Sequence, residues 1–268
     1  RMNEIVRILS AGGMQRVADL ADQTGVSEVT VRRDLRKLED DGLVFMAHGA
    51  ASINPGSDTL RIGDQYYITQ QQAVHQHEKV VIGEKAAALV EPHDTIVIDT
   101  GTTPYYLARA LPANYDLTVI CVSLNVFIEL HDRTDVNLIF AGGYYHRNSL
   151  MCESEEGITM IRRHRASKAF LGATGIHEKM GVTSSNPWEQ KTKRAIMESS
   201  LTNVLLVDSG KFQVVQTSYF ADLHEFDIVI SDTAVPERYV SHIANSGVQL
   251  IYAGDTVPSD DHRLRDPL

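Results

Sequence analysis

The sequence predicts an α/β protein in two unlike parts: a small helical domain closed by a β-hairpin, then a larger domain built on a mostly parallel sheet. Three observations predict this. The first fifty residues carry apolar side chains at helical spacing, in short segments broken by glycines. Further on the pattern changes to short β-branched runs, "TIVIDT", "LTVICVS", "VNLIFAGG", "NVLLVDS" and "FDIVIS", alternating with helical segments. Buried strands that alternate with helices point to parallel pairing. Between the two patterns lies "NPGSDTLRIGDQ", a polar, Pro- and Gly-punctuated stretch that suits a linker. A length of 268 residues fits this division. The expected boundaries are 1–53 for the first domain, 54–69 for the linker, 70–253 for the second domain and 254–268 for a polar, disordered tail.

In "MNEIVRILSAGG", Ile5, Ile8 and Leu9 share one helical face and Gly12-Gly13 stops the run. "QRVADLADQTGV" then places Val17, Leu20 and Ala21 together before Gly25. Ser27 is suited to cap the next helix by accepting a backbone N–H bond. That third helix buries Val31, Leu35 and Leu38 and ends at Gly42. "LVFMAHGAASI" is too short for another packed helix and reads as a hairpin. In the second domain "HEKVVIGEKAAALV" and "TPYYLARAL" read as helices, and Pro104 suits a first turn.

Composition narrows the function classes. The chain is 43% hydrophobic and 22% charged, as a globular protein is. No apolar run approaches the ~20 residues that cross a bilayer, and no signal-peptide pattern is present, so a cytoplasmic location without membrane contact is expected. The chain opens at Arg1 rather than Met, and a few natural residues are expected to precede it. Cys121 and Cys152 have no metal-ligand spacing around them and read as reduced thiols. His75-x-His77 lacks helical spacing and carboxylate neighbours and reads as a pair of solvated linker histidines. No Gly-x-Ser-x-Gly elbow is present. Trp188, the single Trp, reads as a core or interface residue. No metal, cofactor or catalytic residue is expected.

A formal net charge of −10 argues against a nonspecific DNA coat. Yet Arg32, Arg33, Arg36 and Lys37 fall within six consecutive positions. At about 100° per residue, Val29, Arg33, Arg36 and Lys37 point away from the Val31/Leu35/Leu38 stripe, with Thr30 and Arg32 on its flanks. Up to Ile53 there are seven Lys and Arg against eight Asp and Glu, so the segment is not basic; its cations are sorted onto one face. Two helices joined by a short Gly-containing turn, the second presenting Arg and Thr outward, form a helix-turn-helix. Such a motif sets the start of its second helix in the major groove, where Arg reads guanine and pairs with phosphate.

"VADLADQTGVSEVTVRRDLRKLEDDGLVFMAHGAA" resembles the N-terminal winged helix-turn-helix of the DeoR family of bacterial transcriptional repressors, and the resemblance continues through nearly the whole chain. It implies DNA contacts from Ser27, Glu28, Thr30, Arg32, Arg33, Arg36 and Lys37, with His48 in the wing. The family usually carries an Arg just before the wing His-Gly, where this chain has Phe45-Met46. The departure should weaken phosphate contact and flatten the salt dependence of binding.

"TIVIDTGTTPYYLARAL" is a strand, a tight loop and a helix. Free N–H groups and the helix dipole gather an anion at such a loop, and Thr102 and Thr103 add hydroxyls. Taken alone, Gly-Thr-Thr is also a good turn and cap. Strand ends with small or polar residues recur, however: Asp99 with Gly101, Ser123 with Asn125, Gly142-Gly143, Gly172 through Gly175, and Asp208 with Lys211. Ligands of open α/β sheets bind at the carboxyl ends of strands, so these positions are expected to converge on one polar pocket with Lys211 as its cation.

This part is similar to the DeoR effector domain and, through it, to the ribose-5-phosphate isomerase fold, so the second domain is expected to be an effector domain of the sugar-phosphate isomerase type. The resemblance implies that Gly101-Thr102-Thr103 holds a phosphate and that Asp208-Ser209-Gly210-Lys211 supplies a ligand-binding lysine. The isomerases carry Gly-Ala-Asp-Glu where this chain has "GATG", so Thr174 stands in place of an acid, while Glu189 falls near their catalytic Glu. Isomerisation moves a proton between neighbouring carbons and needs a partner for the base. Glu189 without that Asp suits binding better than turnover, and it has the spacing of an ordinary helix-surface carboxylate too.

The resemblance thus implies a repressor of a sugar or nucleoside catabolic operon, binding double-stranded operator DNA as a symmetric homo-oligomer and controlled by a phosphorylated sugar. The segments "SLNVFIEL" and "EFDIVISD" make deoxyribose-5-phosphate the first effector expected. The alternative is a sugar-phosphate isomerase with an appended DNA-binding module.

Overall fold

The computed structural model describes residues 2, 5, 8, 9, 14–40, 44–47, 49–53 and 67–254. It divides into two compact units, Arg1–Leu60 and Arg61–Leu268. The expected helix stops at Gly12-Gly13 and Gly42, the wing residue His48, and residues 54–66 and 255–268 lie outside the described residues.

In the first unit Ile5, Ile8 and Leu9 are helical. Helices α1 (Val17–Thr24) and α2 (Glu28–Asp40) follow. Gly25, at φ +67°, ends α1 in the left-handed region that suits glycine. The hairpin is β2 (Val44–Ala47) with β3 (Ala50–Ile53), paired antiparallel. One strand was not expected: Gln15–Arg16, β1, pairs with Ala50–Ala51 and makes the sheet three-stranded. Two residues carry too little pattern to mark a strand. Ile5, Leu9, Val17, Leu20, Val31, Leu35, Leu38, Val44 and Ala51 form the core, as the spacing of their apolar positions requires.

The second unit begins, among the described residues, with α3 (Ile68–Gln71) and α4 (Gln76–Ala87). The sequence pattern extends the linker to residue 69, whereas Ile68 is already buried and its N–H donates to the Asn148 carbonyl at 2.7 Å. The chain then alternates through β4 (Thr95–Ile98), α5 (Thr102–Ala110), β5 (Leu117–Cys121), α6 (Leu124–Leu130) and β6 (Val136–Phe140). A short antiparallel pair, β7 (Tyr144–His146) and β8 (Met151–Glu153), leads into α7 (Glu155–Arg163) and β9 (Ala166–Gly172). After β10 (Gly175–His177), β11 (Gly181–Ser184) and α8 (Glu189–Glu198) come β12 (Ser200–Leu206), β13 (Ser218–Ala221), β14 (Ile228–Ser231), α9 (Glu237–Asn245) and β15 (Gln249–Tyr252).

Seven strands form one parallel sheet in the order β15-β14-β12-β9-β4-β5-β6. Its strands bury both faces by alternation. Val97, Ala169, Leu171, Leu205 and Val229 pack on one side with Ile158, Ile161, Ile196 and Tyr239. Ile96, Ile98, Phe170, Val204 and Leu206 pack on the other with Ile82, Leu107, Val126 and Leu130. From β4 the chain winds toward β5 and β6; from β9 it winds the other way, toward β12, β14 and β15. The reversal opens a crevice beyond the carboxyl ends of β4 and β9, where doubly wound sheets hold their ligands. Beside it, β10, β11 and β13 form a small antiparallel sheet. Among the described residues no helix is long and apolar enough to cross a membrane.

Candidate nucleic-acid interface and ligand cleft

Helix α2 divides its residues as its sequence spacing requires. Val31, Leu35 and Leu38 are buried, whereas Arg32, Arg33, Arg36 and Lys37 are exposed. Asp34 joins the buried set, which apolar periodicity does not reveal. At the start of the helix the Thr30 N–H donates to Ser27 Oγ at 3.3 Å, and the two hydroxyls lie 2.9 Å apart. Ser27 and Glu28 are exposed and Thr30 half-buried, so this turn faces outward with Val29, 77% exposed, among them. Glu28 pairs with Arg32 at 3.2 Å across an i,i+4 step. Both groups are about half exposed, so a pair of this kind is weak and yields readily to a phosphate. The hairpin register turns Val44 and Ala51 inward and Phe45 outward, and the Met46 N–H donates to Glu39 Oε1 at 3.0 Å. Thus the wing shows an exposed phenyl ring where a cation would serve a phosphate.

A candidate cleft lies at the β4/β9 reversal, with about 450 Å³ of space between atoms, open solvent at its mouth included. It is lined by Thr100 through Pro104, Gly172 through Thr174, Glu189 and Lys193 of α8, Lys211 and Gln71. Gly101, at φ +138°, makes the turn from strand to helix that a side chain would oppose; a Cβ there would stand 3.1 Å from Pro104. Thr102 and Thr103 follow as the first residues of α5, where backbone N–H groups have no intrahelical acceptor. Lys211 sits in a short 3-10 turn, Ser209–Lys211, capped by Asp208 accepting from the Gly210 N–H at 3.1 Å.

Beneath the cleft lies a buried ionic cluster. Lys193 donates to the Asp99 carboxylate and to the Gly172 carbonyl at 2.9 Å, and stands 3.5 Å from Glu189. Burial alone would lower the Lys193 pKa, but the carboxylates of Asp99 and Glu189 outweigh it and hold the ammonium above its ordinary range. Burial raises the Glu189 pKa, against the opposing pull of Lys193 and of Asn186, which donates to it at 2.6 Å. Glu189 is therefore not a helix-surface carboxylate. Asp99 is fully buried, outside the cleft lining, and its Oδ2 accepts from Lys193 and from the Gly172 N–H.

The structure brings Gly101, Thr102, Thr103, Gly172, Glu189 and Lys211 together around the cleft. Other expected positions serve elsewhere. Gly143 and Gly175 give close backbone approach, since a Cβ would lie 2.3 Å from the Glu153 carbonyl and 2.4 Å from that of Val214. The Gly142 carbonyl accepts from Ser154 at 3.0 Å. Ser123 is buried ahead of α6, and Asn125 lines a neighbouring hollow with Tyr105, Leu124 and Ile128.

Sequence reasoning missed Lys193, Thr100, Gln71 and Lys79. The i,i+4 pair Glu189/Lys193 and the strand-end Asp99 were the available signals for Lys193. Lys79 is buried behind the Lys211 turn and donates to the carbonyls of Gln71 at 2.6 Å and Val74 at 2.5 Å. Burial, then the charge of Lys211, lowers its pKa to about 8.

His75 and His77 are not linker residues: His75 occupies the position before α4, with its ring beside Gly210, and His77 lies in the helix. Among the described residues no three His, Cys, Asp or Glu side chains are grouped to hold a metal. Trp188 stacks on His146 at 4.4 Å. Cys121 is a buried free thiol whose pKa burial pushes up to about 12.

A winged helix-turn-helix with sorted cations, joined to a doubly wound domain with a polar cleft at its strand reversal, defines a DNA-binding regulator with its own sensor domain. The sequence pattern of the DeoR-like helix-turn-helix domain matches residues 1–55, and that of the DeoR C terminal sensor domain matches residues 74–233. The chain belongs to the DeoR family of transcriptional regulators. It is 29% identical over 252 residues to the deoxyribose operon repressor of Escherichia coli K12, covering 94% of this chain and 97% of that one. It is 32% identical over 255 residues to the HTH-type regulator YgbI of the same strain, with 94% and 97% covered. Among solved structures, ribose 5-phosphate isomerase A of Methanocaldococcus jannaschii is similar at a TM-score of 0.38 and 16% identity, over 52% of this chain and 55% of that one.

Proposed function

We propose that the chain is a cytoplasmic repressor of a sugar or nucleoside catabolic operon, docking on a two-fold operator as a homo-oligomer and changing its DNA affinity when a phosphorylated sugar fills the cleft. The observation that carries this reading is that Gly101-Thr102-Thr103 and Lys211 line one cleft, an N–H and hydroxyl loop together with a cation. A phosphate monoester satisfies both. Glu189 is held by Asn186 and Lys193, and Thr174 stands where an isomerase would carry a second acid, which supports binding without turnover. The relative named for the deoxyribose operon makes deoxyribose-5-phosphate the first ligand to try.

An effector shifts an equilibrium only by its differential affinity for two states. Here the bound phosphate would reorder the cleft loops and change the spacing of paired reading helices, which must match ~34 Å per DNA turn or a multiple of it. The test is fluorescence anisotropy on DNA from upstream of the protein's own gene, with and without a phosphosugar panel. Operator affinity that moves with one phosphosugar, and with no free sugar, is the expected result. Operator affinity that ignores every phosphosugar at saturation overturns the reading.

A further inference from the structure

The cleft is joined to the start of the sensor unit by a continuous chain of polar contacts. Glu189 accepts from the Asn186 amide at 2.6 Å, and the Asn186 carbonyl accepts from the Asn148 amide at 2.9 Å. The Asn148 backbone carbonyl in turn accepts from the Ile68 N–H at 2.7 Å. Asn186 is buried, and its primary amide donates to the carboxylate with its nitrogen while its oxygen accepts from Asn148. The same loop is tied to the cleft lining at a second point, where the Thr100 hydroxyl donates to the Ser149 carbonyl at 2.9 Å. Ile68 opens α3, whose other end delivers Gln71 to the cleft and is held there by Lys79. Ile68 is also the first buried position of this unit among the described residues, where the chain arrives from the winged unit.

We propose that Asn148 and Asn186 are the positioning residues through which occupancy of the cleft is read at α3. Neither lines the cleft, so neither is needed to hold a ligand. A ligand group that engages Glu189 or Lys193 competes for the donors and acceptors that Asn186 links. Asn148 then carries the rearrangement to the backbone of Ile68. The proposal rests on the phosphosugar reading above, and the two separate cleanly in one set of measurements.

The experiment takes the full chain and its Asn148→Ala variant, with Ser149→Ala as the neighbouring control because the Ser149 hydroxyl has no hydrogen-bond partner among the described residues. For each, the affinity for every sugar of the phosphosugar panel without DNA, deoxyribose-5-phosphate first, and the fold-change in operator affinity at saturation with the tightest-binding sugar are measured. Asn148→Ala should bind the sugar within about threefold of the parent and lose about tenfold or more of the coupling, while Ser149→Ala keeps it. Equal coupling in Asn148→Ala and parent overturns the relay. A parent that binds no phosphosugar overturns the phosphosugar reading, and the relay with it. Hydrogen exchange on the parent guards against a variant that does not fold: the Ile68 amide should change its protection when the sugar binds, and an unchanged amide overturns the relay.

Discussion

Lys193 donates to the carboxylate of Asp99, a bond that reaches from α8 to the residue just beyond β4. The same ammonium holds the Gly172 carbonyl at the end of β9, and the Gly172 N–H donates back to Asp99 at 3.1 Å. The carboxyl ends of the two neighbouring strands at the sheet's reversal are thereby fastened beneath the cleft. Removing the cation leaves two carboxylates buried and facing each other. Truncating one partner of a buried ion pair typically costs about 3–5 kcal/mol. Lys193→Met should lose stability on that scale in urea denaturation. Adding Asp99→Asn, which removes one stranded charge, should recover part of the loss.

Lys79 sets a pH dependence with a definite sign. Its folded pKa, about 8, lies below the ordinary value of 10.5. The unfolded chain therefore binds more protons between those values, and stability rises with pH across that window. The shift corresponds to about 3 kcal/mol at most, present above pH 10.5 and lost as pH falls through 8. The slope of stability against pH from 8 to 10.5 should be flatter in Lys79→Met than in the parent.

At the phosphate loop, Thr102→Val keeps the shape of a buried first-turn residue and removes its hydroxyl. A hydrogen bond to a charged group contributes about 1.5–3 kcal/mol, so affinity for a phosphosugar should fall about 10- to 100-fold. Operator affinity without sugar should be unchanged. Titration calorimetry and anisotropy on the one variant check both halves.

The reading face was legible because one helix carries both of its signals, an apolar stripe and a cationic complement at fixed angles. Arg33, Arg36 and Lys37 needed no tertiary information to be placed outside. The sheet core was legible in the same way from its β-branched runs. The cleft was legible at Gly101–Thr103, Gly172 and Lys211, because small and polar residues at strand ends announce themselves locally, and at Glu189 through the family resemblance. Lys193 reads as a surface residue of a charged helix in "EQKTKR", and only the approach of β4 and β9 makes it a buried partner of Asp99. The glycines at 143 and 175 show the converse. Their type marks a close backbone approach but does not say whether a ligand or another strand makes it, and here the Glu153 and Val214 carbonyls do. Asn148 and Asn186 have no sequence signal at all; their roles exist only through partners 38 residues apart.

The wing offers a gain as well as a loss of DNA affinity. Phe45 is 53% exposed on the outer face of β2, opposite Ser52, so its side chain is free of the core defined by Val44 and Ala51. Phe45→Arg should leave folding intact and add one cation near the phosphate backbone. Each phosphate neutralised steepens the slope of log affinity against log salt by about 0.9. Operator binding should therefore tighten at low salt, with the slope steeper by about one. Arg36→Ala on the reading face should act in the opposite direction, losing about 1–3 kcal/mol if it reads a base edge. If it pairs with phosphate instead, it should lose affinity equally on every sequence and flatten the slope by about one. Anisotropy titrations over a salt series, on operator and on scrambled DNA, separate these outcomes. A Phe45→Arg slope equal to the parent's would show that the wing does not lie along the backbone.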